Sequence, residues 1–433
     1  MNDFSQLTSK DTNKIKIDFI KNYLKKIIQK IKSKKIRLFK NSDKIETKGI
    51  YEGNTNQITI KKKIIKKRNA GIDLIRIISM IGIVYTHVLF QGKGIYKYNK
   101  YKVKIKNSYT YFFWHDNAYA LISGIVGYKS TKYSNLFYLW LSVVFYSLSF
   151  HYYYHLNCKK GARVNAKLYY EYYPVIYGRY WYFSSYFGMF IFLPAINKGV
   201  QYINKPEFNL LVMSIFGIYV FWHTYNNSRT DYFRINRGIS TIWLLCLYIM
   251  GVYIGKFNII YSGIKRYIIC FIYLFLFLFL CYIFNKYSDY TILVFNANYK
   301  TKMKNFIKKL MSNELNSVIK TSQAILITLF FLELKYNEFL SKFITFIGPL
   351  TFGVYLIHIN SNVEKNYLSK LLDREPYYLT ANGVIKMLIY KAIKYFIQCI
   401  IIEYLRHLIF TILKIRKICM FIEKIVFKIA HLF

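Results

Sequence analysis

The sequence is short of acids: 20 Asp and Glu stand against 63 Lys and Arg, a formal net charge of +43 over 433 residues. Such a balance often marks a nucleic-acid binder, but the arrangement one needs is missing. No arginine stripe with interleaved aromatics occurs in a soluble unit, and the charge sits between apolar runs and at the chain ends. The expectation is therefore no nucleic-acid partner. A cysteine framework is also lacking. None of the six cysteines (Cys158, Cys246, Cys270, Cys281, Cys399 and Cys419) forms a CxxC, and most fall inside apolar runs. That pattern indicates neither a disulfide scaffold nor a zinc site, and no metal is expected. Residues 1–60 hold no uninterrupted apolar stretch of the kind a cleaved signal peptide needs, so insertion is expected to begin at the first true span. There is no internal repeat and no segment that reads as a globular catalytic domain, so any chemistry has to be built from spans and their loops.

What is present is apolar. Hydrophobic residues make up 54% of the chain and aromatics 20%, and the mean hydropathy is +0.18. Apolar runs of about twenty residues, the length that crosses a bilayer, alternate with short Lys-rich segments. The pattern predicts an all-α, polytopic integral membrane helical bundle of about ten spans. They fall at Ala70–Phe90, Tyr111–Tyr128, Leu136–His155, Tyr180–Ile196, Leu210–Tyr225, Ile239–Phe257, Ile264–Phe284, Ile319–Leu334, Ile344–Ile359 and Ile385–Leu413.

Three parts follow from this. Residues 1–68 form a basic N-terminal segment, residues 69–413 the transmembrane domain, and residues 414–433 a basic amphipathic tail. Within the first part Ile20, Tyr23, Leu24, Ile27, Ile28 and Ile31 keep helical spacing between lysines. That stretch is either a helix on an anionic membrane face or a solvated tail. Six basic residues from Lys61 to Arg68 abut the first span and argue for a cytoplasmic N-terminus.

The first span contains the run GIDLIRIISMIGIVYTH, Gly71 to His87, in which Asp73, Arg76 and His87 are out of keeping with lipid. Arg76 and His87 are eleven steps apart, about 20° from three full turns, which places them on one face about 16.5 Å apart along the axis. Asp73 lies one turn before Arg76, close enough to pair. An Asp and an Arg at mid-membrane cost about 2.5–3.5 kcal/mol each. Taken singly, these residues read as a helix-packing ion pair and an interfacial histidine. As an aligned stripe they read as a pathway or an active site.

The Asp-x-x-Arg pair followed after ten residues by His, at the head of the first span, resembles the opening signature of the membrane-bound acyltransferase 3 family. Leu121-Ile-Ser-Gly124 resembles that family's Ser-Gly turn, and YWYFSSYFGMFIFLP (Tyr180–Pro194) its Trp-containing span. GISTIWLLCLYIMGVYIGKF (Gly238–Phe257) is similar to a block of the members that act on surface polysaccharides. IGPLTFGVYLIH (Ile347–His358) resembles the late Tyr-Leu-x-His motif. The matches occur in the family's order over about Arg68–Phe410. Two features depart from it. Members commonly carry Arg after the Ser-Gly turn, where this chain has Lys129 and Lys132, and a Pro before it, where this chain reads His115-Asp116-Asn117-Ala118.

The resemblance implies an O-acyltransferase that moves an acyl group, most simply acetyl, from acyl-CoA to a hydroxyl of a carbohydrate or glycan. His87 is the residue type suited to a general base, Arg76 to the donor's phosphates, and Asp73 to orienting Arg76. Lys129 and Lys132 are candidate further donor contacts. Candidate acceptor contacts are Trp181 and Tyr182 (the alternative being an aromatic belt), His358 with Tyr355 one turn before it (or a helix cap), and His115 with Asp116 (or an exposed loop pair). Ser123-Gly124 and Gly251-x-x-x-Gly255 read best as helix packing. Buried charges also mark transport pathways, so an exporter of a glycan or lipid-linked precursor is the alternative function. A scaffold that has lost activity is a third.

Overall fold

The computed structural model describes residues 68–157, 168–226, 231–257, 261–293, 314–376 and 380–432. The amphipathic stretch expected around residues 20–31, Cys158 and most of the Lys-rich segment before Val318 lie outside these residues. From Asn69 onward the described chain folds as one unit in which all regular structure is helical.

The principal helices are α1 (Ala70–Phe90), α2 (His115–Gly127), α3 (Ser134–Leu156), α4 (Trp181–Tyr202), α5 (Lys205–Ile215), α6 (Thr241–Phe257), α7 (Gly263–Leu293), α8 (Val318–Glu333), α9 (Glu338–Ile347), α10 (Thr351–His358), α11 (Ala381–Ile412) and α12 (Ile415–Ala430). Their starts are written in the sequence as side-chain caps, which satisfy backbone amides that a helix N-terminus leaves open. Asn69 accepts from Gly71 N at 2.8 Å, Asn337 from Leu340 N at 2.7 Å, and Asn204 with Glu207 forms a reciprocal capping box. The helix of α5 runs on through a π-helical stretch, Phe216–Trp222.

Every run predicted as a span coincides with helix. By length and apolarity, however, four helices among the described residues are fit to cross a membrane: Ala70–Phe90, Lys205–Tyr225, Gly263–Lys286 and Glu338–His358. The bent pair α11–α12, turning through 57°, makes a fifth if it is taken as one span. The expected count of about ten is thus not confirmed. The reason is visible in α2, whose 13 residues rise only about 20 Å, and in α6, an apolar helix of 17 residues.

α2 and α6 pack backbone to backbone. Carbonyls of Tyr248, Leu121 and Ile125 lie where side chains on Gly124, Gly251 and Gly255 would have to go, so no larger residue fits without parting the helices. α1 runs through the middle of the bundle, in contact with α2, α8, α9, α10 and α11. Its first half, Ile72 and Ile75, belongs to a core built on Trp243, Leu247 and Tyr248. Its second half, Met80 to Leu89, belongs to another built on Tyr146, Phe183, Leu356 and Leu388. By contrast, α7 exposes Ile264, Phe271, Phe275 and Phe279, with Tyr267 and Tyr282, the mainly hydrocarbon face of a helix that meets lipid.

Candidate active site

The N-terminal half of α1 holds the charged pair. Asp73 is fully buried, and Arg76 Nη1 donates to its Oδ1 at 2.6 Å. The Arg76 side chain is 21% exposed. Gly348, in the 3₁₀ turn between α9 and α10, closes over the acid: a Cβ there would lie 2.6 Å from Asp73 Cβ and Oδ1. The Tyr119 hydroxyl of α2 donates to the Arg76 carbonyl at 2.7 Å.

On its open side Arg76 lines a pocket of about 190 Å³ together with Lys132, Ser123, Asn135, Asn197 and Tyr248. Asn197 is locked in place. It donates to the Gly127 and Ser130 carbonyls at 3.1 and 2.7 Å and accepts from the Tyr248 hydroxyl at 2.7 Å. The pocket therefore pairs two cations from different elements with fixed amide and hydroxyl groups. Lys129 is exposed, lies over the Tyr128 ring at 5.4 Å and does not line the pocket.

The C-terminal half of α1 holds histidines. His87 meets His358, the last residue of α10, edge to face at 4.9 Å between ring centroids. His358 is fully buried and its Nδ1 lies 2.7 Å from the Val354 carbonyl. A carbonyl only accepts, so Nδ1 carries the proton there and Nε2 presents a lone pair. That Nε2 is buried without a hydrogen-bond partner, and so is His87 Nδ1.

His115, in the first turn of α2, brings Nε2 to 3.2 Å from Thr86 Oγ1 and Nδ1 to 3.2 Å from Asp116 Oδ1. Asp116 is within electrostatic reach of His87, His358 and the buried Lys320 of α8, whose Nζ stands 4.7 Å over the Phe113 ring. Between the two ends of α1 runs a file of tyrosines. The ring centroids of Tyr119 and Tyr182 are 6.4 Å apart, of Tyr182 and Tyr355 6.4 Å, and of Tyr355 and His358 6.3 Å. The buried hydroxyls of Tyr182 and Tyr355 make no aligned hydrogen bond.

Buried polar atoms are nearly always paired, because each orphan costs about 1–3 kcal/mol. Three orphans on neighbouring rings, His87 Nδ1, His358 Nε2 and Tyr182 Oη, mark a place with hydrogen-bonding capacity to spare. Of the residues singled out from sequence, the structure gathers His87, His358, Tyr355, Tyr182, His115 and Asp116 at one end and Arg76, Asp73 and Lys132 at the other. Trp181 packs on Tyr182, 5.4 Å between centroids, at the margin of the first group.

Three polar features escaped the sequence reading. They are Lys320, the buried pair Glu403–Arg406 on α11, and the pair Glu171–Arg179 beside Ser147. A lone Lys320 inside the eighth predicted run was a signal available in the sequence. Among the described residues no group of three or more His, Cys, Asp or Glu side chains is placed to hold a metal ion.

Apolar helices long enough to cross a bilayer, wrapped around a cation pocket and a histidine cluster, define an integral membrane protein with a polar interior. Residues 69–361, from the cap of α1 to just past His358, match the family model described as an acyltransferase domain, that of the acyltransferase 3 family. The chain belongs to this family and is a membrane acyltransferase. No curated protein and no solved structure matches it.

Proposed function

We propose that the protein transfers an acyl group, most simply acetyl, from acyl-CoA to a hydroxyl of a carbohydrate or glycan, working from the two ends of α1. The observation that carries this reading is the pair of unpartnered imidazole nitrogens, His87 Nδ1 and His358 Nε2, on rings 4.9 Å apart. They share a helix with a guanidinium that opens on a pocket.

Arg76 and Lys132 take the donor's phosphates, Arg76 through its planar fork and Lys132 as a point charge. A space of about 190 Å³ is smaller than the roughly 300–1,000 Å³ that enclose a drug-sized ligand. It seats phosphate, while the nucleoside lies outside against the exposed Lys129. The pantetheine arm then follows the tyrosine file toward His87, about 16.5 Å away along the helix.

There the acceptor hydroxyl gives its proton to a bare imidazole nitrogen as its oxygen attacks the thioester carbon. The tetrahedral intermediate collapses by expelling CoA thiolate, and the imidazolium returns the proton to the sulfur. His87 is the base. His358, fixed by its bond to Val354, holds the neighbouring position, and the Tyr182 and Tyr355 hydroxyls are donors for the oxyanion. With the N-terminus cytoplasmic, the Arg76 end faces the compartment of acyl-CoA and the histidine end faces the acceptor. Transport, the alternative, does not require a base at one end of a helix and a phosphate-binding cation at the other.

In an assay of labelled acetyl-CoA with membrane glycans, His87→Gln is expected to lower transfer by about 10²–10⁴-fold, the range for losing a general base, at unchanged expression. Transfer at the wild-type rate would remove His87 from the reaction.

A further inference from the structure

Near the histidine end lies a second polar cluster for which the reaction so far has no use. Glu171 is 1% exposed and accepts from Ser147 Oγ at 2.6 Å and from Arg179 Nη2 at 2.7 Å. Arg179 Nη1 donates to Ser361 Oγ at 3.4 Å, yet its Nε is buried without a partner. His151, one turn after Ser147 on α3, is 6% exposed, and its Nδ1 also lacks a partner among the described residues.

This cluster adjoins the chemistry. Tyr180, next in sequence to Arg179, accepts from Asn360 Nδ2 at 2.9 Å and lies 6.1 Å from the Tyr355 ring. Ser361 comes three residues after His358. On the outer side stand tyrosines, where α7 shows mainly Phe and Ile. Tyr169 and Tyr177 are 43% and 47% exposed, with ring centroids 5.3 Å apart, and the Arg179 guanidinium sits 5.1 Å over Tyr170. Tyr152 and Tyr172 hydroxyls meet at 3.2 Å.

We infer that Glu171, Arg179, His151 and the tyrosines around them form the acceptor subsite, and that the acceptor is a neutral, hydroxyl-rich carbohydrate. This rests on the acyltransferase reading above. Three features select that ligand. Unpartnered nitrogens at His151 and Arg179, with the unused lone pairs of the Glu171 carboxylate, offer both donors and acceptors to vicinal hydroxyls. Tyrosine rings present apolar faces with polar tips, suited to the C–H face of a pyranose and its rim of hydroxyls. Among the described residues the two charges of the cluster, Glu171 and Arg179, cancel across 2.7 Å. An anionic sugar would therefore find no net positive charge among these described residues, despite the +43 carried by the chain as a whole.

The test titrates the full-length protein in detergent with a panel of labelled glycans. Maltopentaose, cellopentaose and chitopentaose are the neutral probes and a galacturonate pentamer the acidic one, with acetyl-CoA titrated in parallel. At least one neutral probe is expected to bind, and His151→Gln and the exposed Tyr177→Ala to weaken it by about tenfold, close to 1.4 kcal/mol, with acetyl-CoA affinity unmoved. Binding of the acidic probe alone, of no probe, or of neutral probes equally well by both variants would overturn the subsite while acetyl-CoA binding left the acyltransferase reading in place. Loss of acetyl-CoA binding in the wild type would instead bring down that reading.

Discussion

Two acid-x-x-Arg pairs, Asp73–Arg76 on α1 and Glu403–Arg406 on α11, lie on helices that pack together, and they have opposite fates. Each acid is buried, and each is pressed against a glycine of one short stretch, Asp73 by Gly348 and Glu403 by Gly353. Arg406 is saturated. It donates to both Glu403 oxygens, to Ser142 Oγ at 3.1 Å and to Tyr138 Oη at 3.3 Å, and its guanidinium lies 4.5 Å over Phe410. Glu403 also accepts from the Tyr146 hydroxyl at 2.6 Å. Arg76 has its Asp73 contact and otherwise faces the pocket shared with Lys132. Identical spacing thus gives a saturated tie in one place and an arginine open to a pocket in the other. The difference is spare hydrogen-bonding capacity, which spacing does not encode. α11 also lies beyond the residues matched by the family model, in keeping with a part that braces the site.

The largest effect expected from this contrast is on Arg406. Arg406→Ala leaves Glu403 charged and buried, which should cost about 3–5 kcal/mol in chemical unfolding of the detergent-solubilised protein. Arg76→Ala also leaves a buried acid, Asp73, but breaks one bond to it where Arg406→Ala breaks two to Glu403, and should cost less. Equal losses would erase the distinction.

Next come the glycines. Gly348→Ala and Gly353→Ala each force a carboxylate aside and should destabilise by about 1–3 kcal/mol, as overpacking does. Only Gly348→Ala should also raise the KM for acetyl-CoA, because only Asp73 holds the arginine proposed to bind it. Arg76→Lys keeps the charge but loses the fork and is expected to raise the acetyl-CoA KM about tenfold, or 1.4 kcal/mol, with the unfolding transition unmoved. The smallest effect separates two lysines. Lys132→Ala should weaken acetyl-CoA by a few-fold, of the order of an exposed charge contact at about 0.2–1 kcal/mol. Lys129→Ala, outside the pocket, should do less, and the reverse order would place the donor elsewhere.

What the sequence made legible follows one helix at a time. Hydrophobic runs located the helices, and the i,i+3 and eleven-residue spacings put Asp73, Arg76 and His87 in relation, because both are read from the α-helical period alone. The resemblance of the Ile347–His358 run brought His358 to notice, but not that it meets His87 across 271 positions, since periodicity says nothing of which helices pack together. For the same reason Glu171, Arg179 and Ser147, scattered over a loop and two helices, went unremarked. Glu403 and Arg406 lie inside the last predicted span, Ile385–Leu413, and went unremarked for the same reason. The count of about ten spans is not confirmed, because a run of apolar residues marks burial in a bundle as readily as passage through lipid: α2, of 13 residues, packs against α6.

The account stands on the two ends of α1 serving one donor molecule in different ways, phosphate at Arg76 and acyl group at His87. Thermal unfolding of the wild type, Arg76→Ala and His87→Ala with and without saturating acetyl-CoA tests this directly. A ligand at about 100 times its dissociation constant adds about 2.7 kcal/mol to a native state. That shift is predicted in the wild type, retained in His87→Ala although transfer is lost, and abolished in Arg76→Ala. An acetyl-CoA shift that survives Arg76→Ala, or one that vanishes in His87→Ala, would contradict it.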